Sequence, residues 1–321
     1  MVEVSGAVPA RRLRLRVAAK RTVADGVVAL ELVDAEGARL PDWTPGAHVD
    51  LVLPSGHTRQ YSLCGDRWDA YRYRVAVLRE PDGRGGSAYV HDVLRVGDRV
   101  GVGGPRNNFP LVPAGRYLFV AGGIGVTPLL PMVHQAQSVG ADWHLLYAGR
   151  SRRTMAFLDE LAGHGDRVEV CATDERGRPE LTGRLRVVDA GRRVYCCGPA
   201  GMIDAVAAAC AHWPPYTLRT ERFAGREVAP VRDEPFEVVL ARSGARLRVS
   251  PGTTVLDALR TVGVDLLSSC REGTCGTCET GVVRGEVDHR DALLTDEERA
   301  AGDLMYPCVS RSRGDRLVLD L

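Results

Sequence analysis

Four cysteines in the last third of this 321-residue chain have types and spacing that could bind metal. Cys270, Cys275 and Cys278 follow a C-x4-C-x2-C pattern, and Cys308 comes later on its own. This is the spacing of a plant-type [2Fe–2S] cluster, in which two irons need two thiolates each. A tight loop supplies three of them and a distant segment the fourth. The intervening Arg271-Glu272-Gly273-Thr274 and Gly276-Thr277 contain small residues, so backbone N–H groups can turn toward sulfur and tune the cluster. Four thiolates can also hold one tetrahedral zinc, but zinc ligands commonly come as two C-x2-C pairs, and only one such pair is present. The remaining cysteines, Cys64, Cys171, Cys196, Cys197 and Cys210, read as packing residues.

A second chemistry is suggested by glycine. Val120-Ala121-Gly122-Gly123-Ile124-Gly125-Val126-Thr127-Pro128 follows an apolar strand and opens a helix. Glycines there let the backbone approach a pyrophosphate, and the helix start offers N–H donors. Tyr195-Cys196-Cys197-Gly198-Pro199 repeats the strand-to-helix switch, and two such switches in one parallel sheet make a nucleotide crevice. Gly149-Arg150-Ser151-Arg152-Arg153 follows a third strand; its arginines either meet phosphate, including a 2′-phosphate, or form a solvated loop. Nearer the start, Arg59-Gln60-Tyr61-Ser62-Leu63 combines a phosphate-pairing guanidinium with a ring that can pack on a flavin. Gly85-Gly86-Ser87, ahead of a helix, is a further phosphate cradle.

Three stretches of different character must position these groups. Residues 1–112 hold short alternating runs at 14–17, 27–33, 48–53, 71–78 and 98–102, punctuated by turns such as Pro45-Gly46, Pro54-Ser55-Gly56 and Gly103-Gly104-Pro105. Many short strands with frequent turns predict an antiparallel β-barrel or sandwich, with one helix near 87–94. Residues 113–226 alternate strands and helices, which predicts a doubly wound parallel sheet. Residues 227–235 carry two prolines and read as a linker. Residues 236–321 predict two strands, a helix at 255–262 capped by Thr253 or Thr254, the cysteine loop and further strands, a β-grasp order. Arg11, Arg12, Arg14 and Arg16, alternating with apolar residues, read as a half-exposed strand.

Composition excludes some partners. With 42 basic and 41 acidic residues the net charge is +1, so no nucleic-acid partner is expected. No apolar run is long enough to cross a bilayer and no signal-peptide core opens the chain, so a cytoplasmic protein without a membrane partner is expected.

Taken together, the motifs resemble the phthalate dioxygenase reductase family of the ferredoxin–NADP reductase superfamily, and vanillate demethylase reductases are similar too. The resemblance runs along the whole chain. It rests on Arg59–Leu63, Gly85–Ser87, Pro105-Arg106-Asn107 with Phe109-Pro110, Gly122–Pro128, Cys196–Pro199, Glu221–Phe223, the cysteine loop, Asp288-His289-Arg290-Asp291 and the closing Val318-Leu319-Asp320-Leu321. It implies an FMN-binding β-barrel at 1–112, an NAD(P)-binding α/β domain at 113–226 and a [2Fe–2S] ferredoxin domain at 236–321. Arg59, Gly85, Gly86 and Ser87 would serve the FMN phosphate, Tyr61 and Ser62 the ring, and the backbone of Ala76 to Leu78 its edge. Phe223 would pack where nicotinamide enters, and Thr127 would lie near both rings. Gly123, Gly125, Cys197, Gly198 and Pro199 would line the nucleotide site, with Arg150, Ser151 and Asp174 on the adenosine side. The family precedent favours NADH as donor; the Gly-Arg-Ser-Arg-Arg run departs from an acidic residue often found there and keeps NADPH as the alternative.

The implied activity is that of an NAD(P)H-dependent reductase with no catalytic residue beyond its cofactors. Hydride electrons would enter at FMN and leave singly through the [2Fe–2S] cluster to a terminal oxygenase, a Rieske non-haem iron protein or a cytochrome P450. The alternatives are a diaphorase serving several acceptors and a nonenzymatic redox or iron sensor, the latter disfavoured by the paired flavin and nucleotide motifs. A monomer is expected.

Overall fold

The structure is a computed structural model and describes residues 13–189, 191–225 and 233–321. It divides into two compact units, Met1–Glu221 and Arg222–Leu321. Most of the expected linker 227–235 lies outside the described residues, as do Arg11 and Arg12.

The first unit opens with six strands: β1 (Leu13–Ala24), β2 (Val27–Asp34), β3 (His48–Val52), β4 (Thr58–Ser62), β5 (Arg72–Leu78) and β6 (Arg99–Arg106). They pair in the order β4-β3-β6-β1-β2-β5, and every pairing is antiparallel. The two outer strands meet where Leu63 bridges Val75 and the Cys64 N–H donates to the Arg74 carbonyl at 2.9 Å, closing the sheet into a barrel. Alternation decides which side chains fill it. Leu15, Val17, Leu30, Leu32, Val49, Leu51 and Val75 are buried in one cluster, while Arg14 is exposed between Leu13 and Leu15. A helix, α1 (Gly86–Asp92), links β5 to β6.

One expectation fails here. Gly103-Gly104-Pro105 does not turn; β6 runs through it. A register shift against β3 and the left-handed φ of 94° at Gly104 let the strand absorb the irregularity. A Cβ at Gly103 would lie 3.2 Å from the Asp50 carboxylate, so the glycine serves close approach rather than reversal.

The unit continues with β7 (Arg116–Gly122), α2 (Val126–Ser138), β8 (Asp142–Gly149), α3 (Leu158–Ala162), β9 (Val168–Ala172), α4 (Thr173–Arg176), α5 (Thr182–Leu185), β10 (Arg192–Cys197), α6 (Ala200–Ala209) and β11 (Leu218–Glu221). The strands form a parallel sheet in the order β11-β10-β7-β8-β9. Strand order reverses between β7 and β10, so the crevice at their carboxyl ends is where a doubly wound sheet accepts a ligand. A shared apolar cluster, with Val27, Ala29, Cys64 and Ala76 from the barrel against Leu129, Leu130 and Met132 of α2, fixes the barrel against this sheet.

The second unit holds β12 (Phe236–Leu240), β13 (Arg246–Val249), α7 (Val255–Thr261), β14 (Thr280–Arg284), β15 (Val287–Asp288), α8 (Asp296–Ala301), β16 (Leu304–Met305), β17 (Arg311–Ser312) and β18 (Arg316–Leu319). Its main sheet runs β13-β12-β18-β14-β16, with β12 and β18 parallel at the centre, and α7 covers it in β-grasp fashion. Of the two capping candidates Thr254 is used, its hydroxyl accepting from the Asp257 N–H at 3.0 Å. Helix α8 was not expected, although Thr295 and Glu298 form a reciprocal capping box that its sequence spells out.

Candidate functional site

The expected nucleotide residues converge at the reversal point of the parallel sheet. Gly123–Gly125 forms a single tight turn between β7 and α2, with Gly123 at a φ of 54°. Across the crevice lies the segment after β10. A Cβ on Gly125 would stand 2.3 Å from the Cys197 carbonyl oxygen, and one on Gly198 2.9 Å from the Gly122 Cα. A Cβ on Gly122 would strike Pro199 at 2.6 Å. The two loops therefore touch backbone to backbone, and a side chain on any of the three glycines would fill the cradle. Thr127 is buried on the first turn of α2, its hydroxyl donating to the Ile124 carbonyl at 2.9 Å. Barrel strand β5 passes beside the Gly123–Gly125 turn, bringing Ala76 and Leu78 to the same place. Their side chains pack into the shared apolar cluster.

Cys197 ends β10 opposite Glu221 of β11. Its thiol lies 4.0 Å from the Glu221 Oε2. Burial pushes the Glu221 carboxyl up to about 8, and burial, reinforced by that carboxylate, pushes the Cys197 thiol well above its usual value. At neutral pH both groups are largely protonated, so this wall of the crevice carries little charge. In the sequence Glu221 is only part of the Glu221–Phe223 motif; its half-buried place beside Cys197 depends on strand pairing, which no local pattern encodes.

Arg150 and Ser151 follow β8, and Asp174 lies on α4 after β9. The Asp174 N–H donates to the Arg150 carbonyl at 3.1 Å, so these residues also stand together, at the far end of the sheet. Ser151 is spent as a cap on a short turn with Thr154, and Arg152 is paired with Glu175 at 3.1 Å. Arg150 and Asp174 are exposed.

In the barrel, Arg59 lies directly over Gly86, where a Cβ would come 2.8 Å from the arginine Cγ. Its guanidinium donates to the Thr58 carbonyl at 2.8 Å and the Arg84 carbonyl at 3.1 Å, which fixes it at the start of α1. Gly85 adopts a φ of 82°, and no acidic side chain occupies the first turn. A fixed cation over a glycine-lined turn fits a phosphate. Ser87 is buried and accepts from the Glu80 N–H at 3.1 Å. Tyr61 and Ser62 are neighbours on one strand, so their side chains point to opposite faces. Tyr61 packs against the barrel core, and burial pushes its phenol up to about 12. Ser62 pairs with His48, beside Asp50, which binds Arg106 at 2.6 Å and Gln60 at 3.0 Å. Phe223 falls just beyond the boundary of the first unit and is 43% exposed.

In the second unit the loop between α7 and β14 gathers Cys270, Cys275 and Cys278, and Cys308 joins them ahead of β17. Cys275, Cys278 and Cys308 are buried and Cys270 is half-buried. The Cys270 sulfur accepts from the backbone N–H groups of Glu272 at 3.3 Å and Thr274 at 3.4 Å, and the Cys275 sulfur from Thr277 at 3.4 Å. Amides aimed at sulfur are the environment of bound thiolates. The thiols stand close enough to interact in pairs, Cys275 with Cys270 and Cys308 with Cys270 and Cys278. Four gathered cysteines, with backbone amides directed at two of the sulfurs, fit a binuclear cluster in which each iron takes two thiolates.

Comparison with known proteins agrees. A 2Fe-2S iron-sulfur cluster binding domain model matches residues 238–313, a span holding all four cysteines. A model of the dimethylamine monooxygenase subunit DmmA-like N-terminal domain matches residues 109–213. The phenoxybenzoate dioxygenase subunit beta of Ectopseudomonas oleovorans is 45% identical over 99% of this chain and 100% of its own length. The crystal structure of phthalate dioxygenase reductase, described as a modular structure for electron transfer from pyridine nucleotides to [2Fe-2S], superposes with a TM-score of 0.72 at 38% identity, covering 97% of this chain and 98% of that one. An intact type IV self-sufficient cytochrome P450 monooxygenase matches with a TM-score of 0.88 at 45% identity over 97% of this chain and 41% of its own. The fold and both sites thus define a flavin- and iron–sulfur-dependent pyridine-nucleotide oxidoreductase. The chain belongs to the phthalate dioxygenase reductase family, whose cofactors are FMN, NADH and a [2Fe–2S] cluster. Among the described residues no helix is long and apolar enough to cross a membrane.

Proposed function

We propose that this chain is the NADH-dependent reductase component of an oxygenase system and that it delivers electrons one at a time to a terminal oxygenase of the Rieske or P450 kind. The observation that carries this reading is the side-chain-free glycine crevice beside barrel strand β5, in the same chain as a complete C-x4-C-x2-C…C donor set.

The roles follow from placement. Arg59 holds the FMN phosphate over Gly85 and Gly86, and Ser87 fixes the turn beneath it. Tyr61, Ser62 and the backbone of β5 from Ala76 to Leu78 border the ring, and Tyr61 shares its strand face with Arg59. Gly123, Gly125, Gly198 and Pro199 let the dinucleotide lie against bare backbone, with Thr127 closing the turn. Cys197 and Glu221 present a largely protonated, weakly polar wall beside the nicotinamide. Asp174 meets the adenosine ribose, where a carboxylate repels a 2′-phosphate, and Arg150 flanks it. Phe223 covers the nicotinamide side. Cys270, Cys275, Cys278 and Cys308 hold the cluster. When bound, the flavin and cluster together convert two-electron donation into single-electron transfer. The division of labour follows 1–112, 113–226 and 236–321, and the working form is a monomer.

The test is an anaerobic titration of the purified protein with NADH and, separately, NADPH, followed by addition of a candidate oxygenase. Flavin bleaching with a reduced-cluster spin signal, faster with NADH, and reoxidation by one oxygenase are expected. A colourless zinc protein, or equal reoxidation by unrelated acceptors, would overturn the reading.

A further inference from the structure

The run Asp288-His289-Arg290-Asp291 lies between the two parts of the cysteine set, and the roles above leave it unused. It touches both parts. On one side, the Ala292 N–H donates to the Gly273 carbonyl at 2.9 Å, and Gly273 is the middle of the Cys270–Cys275 loop. Asp291 packs so tightly there that a Cβ on Gly273 would stand 2.9 Å from the Asp291 Cα. On the other side, the Arg290 N–H donates to the Ser310 hydroxyl at 3.2 Å, two residues beyond Cys308. Asp288 also pairs with Arg311 in the β15–β17 ladder.

The run is itself fixed by a fully buried carboxylate. Asp291 is 0% exposed, and its Oδ2 accepts from the N–H groups of Leu293 at 3.1 Å and Leu294 at 2.9 Å. Arg299 of α8 donates to the Asp291 carbonyl at 3.0 Å and stands 3.6 Å from its Oδ2. His289 lies 3.7 Å from the Oδ1. A buried carboxylate is costly unless it is paired and hydrogen-bonded, and Asp291 is both, which holds the run in one geometry.

We propose that Asp291 is a positioning residue for the iron–sulfur cluster and that, with Ser310, it sets the separation between the three-cysteine loop and Cys308. This rests on the cluster assignment above. Sequence alone cannot fix that separation, because the fourth ligand arrives from a segment that must be tied to each end of the loop. The Thr280–Met305 pairing and the Tyr306 hydroxyl, which donates to Glu279 at 2.8 Å, tie the Cys308 segment to the Cys278 end of the loop; the 288–292 run ties it to the Cys270–Cys275 end, with one hydrogen bond to each side.

The experiment compares the full-length wild type with Ser310→Ala, Asp291→Asn and Asp291→Ala. It reads cluster bleaching by an iron chelator, the visible circular dichroism of the oxidised protein and the g-values of the reduced protein. Ser310→Ala removes a single hydroxyl and keeps the fold testable if an Asp291 variant fails to fold. We expect bleaching about fivefold faster in Ser310→Ala, the equivalent of one lost hydrogen bond, and faster still in Asp291→Ala. Asp291→Asn, which keeps an acceptor for Leu293 and Leu294, should fall between wild type and alanine, and the dichroism should change in all three. A merely structural residue would lower the melting temperature and leave the dichroism and g-values of the folded protein unchanged. Wild-type bleaching and spectra in Ser310→Ala would overturn the proposal. A wild type with no cluster spectrum would instead overturn the assignment beneath it.

Discussion

The Cys197 sulfur and the Glu221 carboxyl oxygen stand 4.0 Å apart on neighbouring parallel strands, at the edge of the glycine crevice. Only the carboxyl changes its ionisation at neutral pH relative to water, since a thiol is protonated there in either setting. Burial raises the Glu221 carboxyl to about 8 from an ordinary value of 4.5. The folded chain therefore holds a proton that the unfolded chain releases between those values. Stability from this group is full below pH 4.5, declines as pH rises and is flat above about 8. Glu221→Gln should gain melting temperature relative to wild type between pH 5 and pH 8. A difference independent of pH would show that Glu221 is ionised throughout.

Gly125→Ala should be among the most damaging small substitutions in the first unit. The added methyl meets the Cys197 carbonyl at 2.3 Å, and neither partner is a flexible side-chain end. Overpacking of this kind costs about 1–3 kcal/mol. Loss of melting temperature with a raised KM for NADH is expected. Gly201 in α6 is the control, because a Cβ there meets nothing within 4 Å. Gly201→Ala should be neutral or stabilise by about 0.5–1 kcal/mol.

Arg59→Ala should release flavin. Charge-assisted hydrogen bonds are worth about 1.5–3 kcal/mol each, so FMN affinity should fall roughly ten- to a hundredfold. Flavin content after gel filtration reads this directly. Arg59→Lys should rescue poorly, since an ammonium cannot donate to Thr58, Arg84 and a phosphate with the same fixed fork.

Cys275→Ser should separate the two halves of the electron path. Stopped-flow reduction of flavin by NADH should stay near wild type while oxygenase reduction is abolished. Equal loss of both, with the variant folded and flavin bound, would contradict the order of electron flow.

Asp174→Ser should narrow the preference for NADH over NADPH, because the carboxylate that repels a 2′-phosphate is gone while Arg150 remains. The ratio of kcat/KM for the two donors measures it. An unchanged ratio would move the determinant elsewhere.

Much of this was legible before any coordinates. Spacing alone specified the cysteine set, because cluster ligation demands one tight loop and a return segment. The glycine loops were legible because each follows an apolar strand and opens a helix. Partnerships across distance were not. Nothing local announces that Gly125 abuts Cys197, that Glu221 stands half-buried beside it, or that Asp291 packs on Gly273. Each depends on which strands become neighbours. Local rules also misled at Gly103-Gly104-Pro105, where composition signals a turn and the barrel requires a continuous strand. At α8 the Thr295–Glu298 capping signal was present but is short enough to pass as loop.

The contact between Gly122 and Gly198 bears on how such a protein can change over evolutionary time. Where two backbones meet without side chains between them, a point substitution has nothing to remodel except the fold itself. That part of the crevice is a fixed element of the fold. Change is cheaper at the exposed Arg150 and Asp174, where a substitution meets solvent rather than a second backbone. On the proposed roles, donor choice can then drift there while the glycine contact stays as it is.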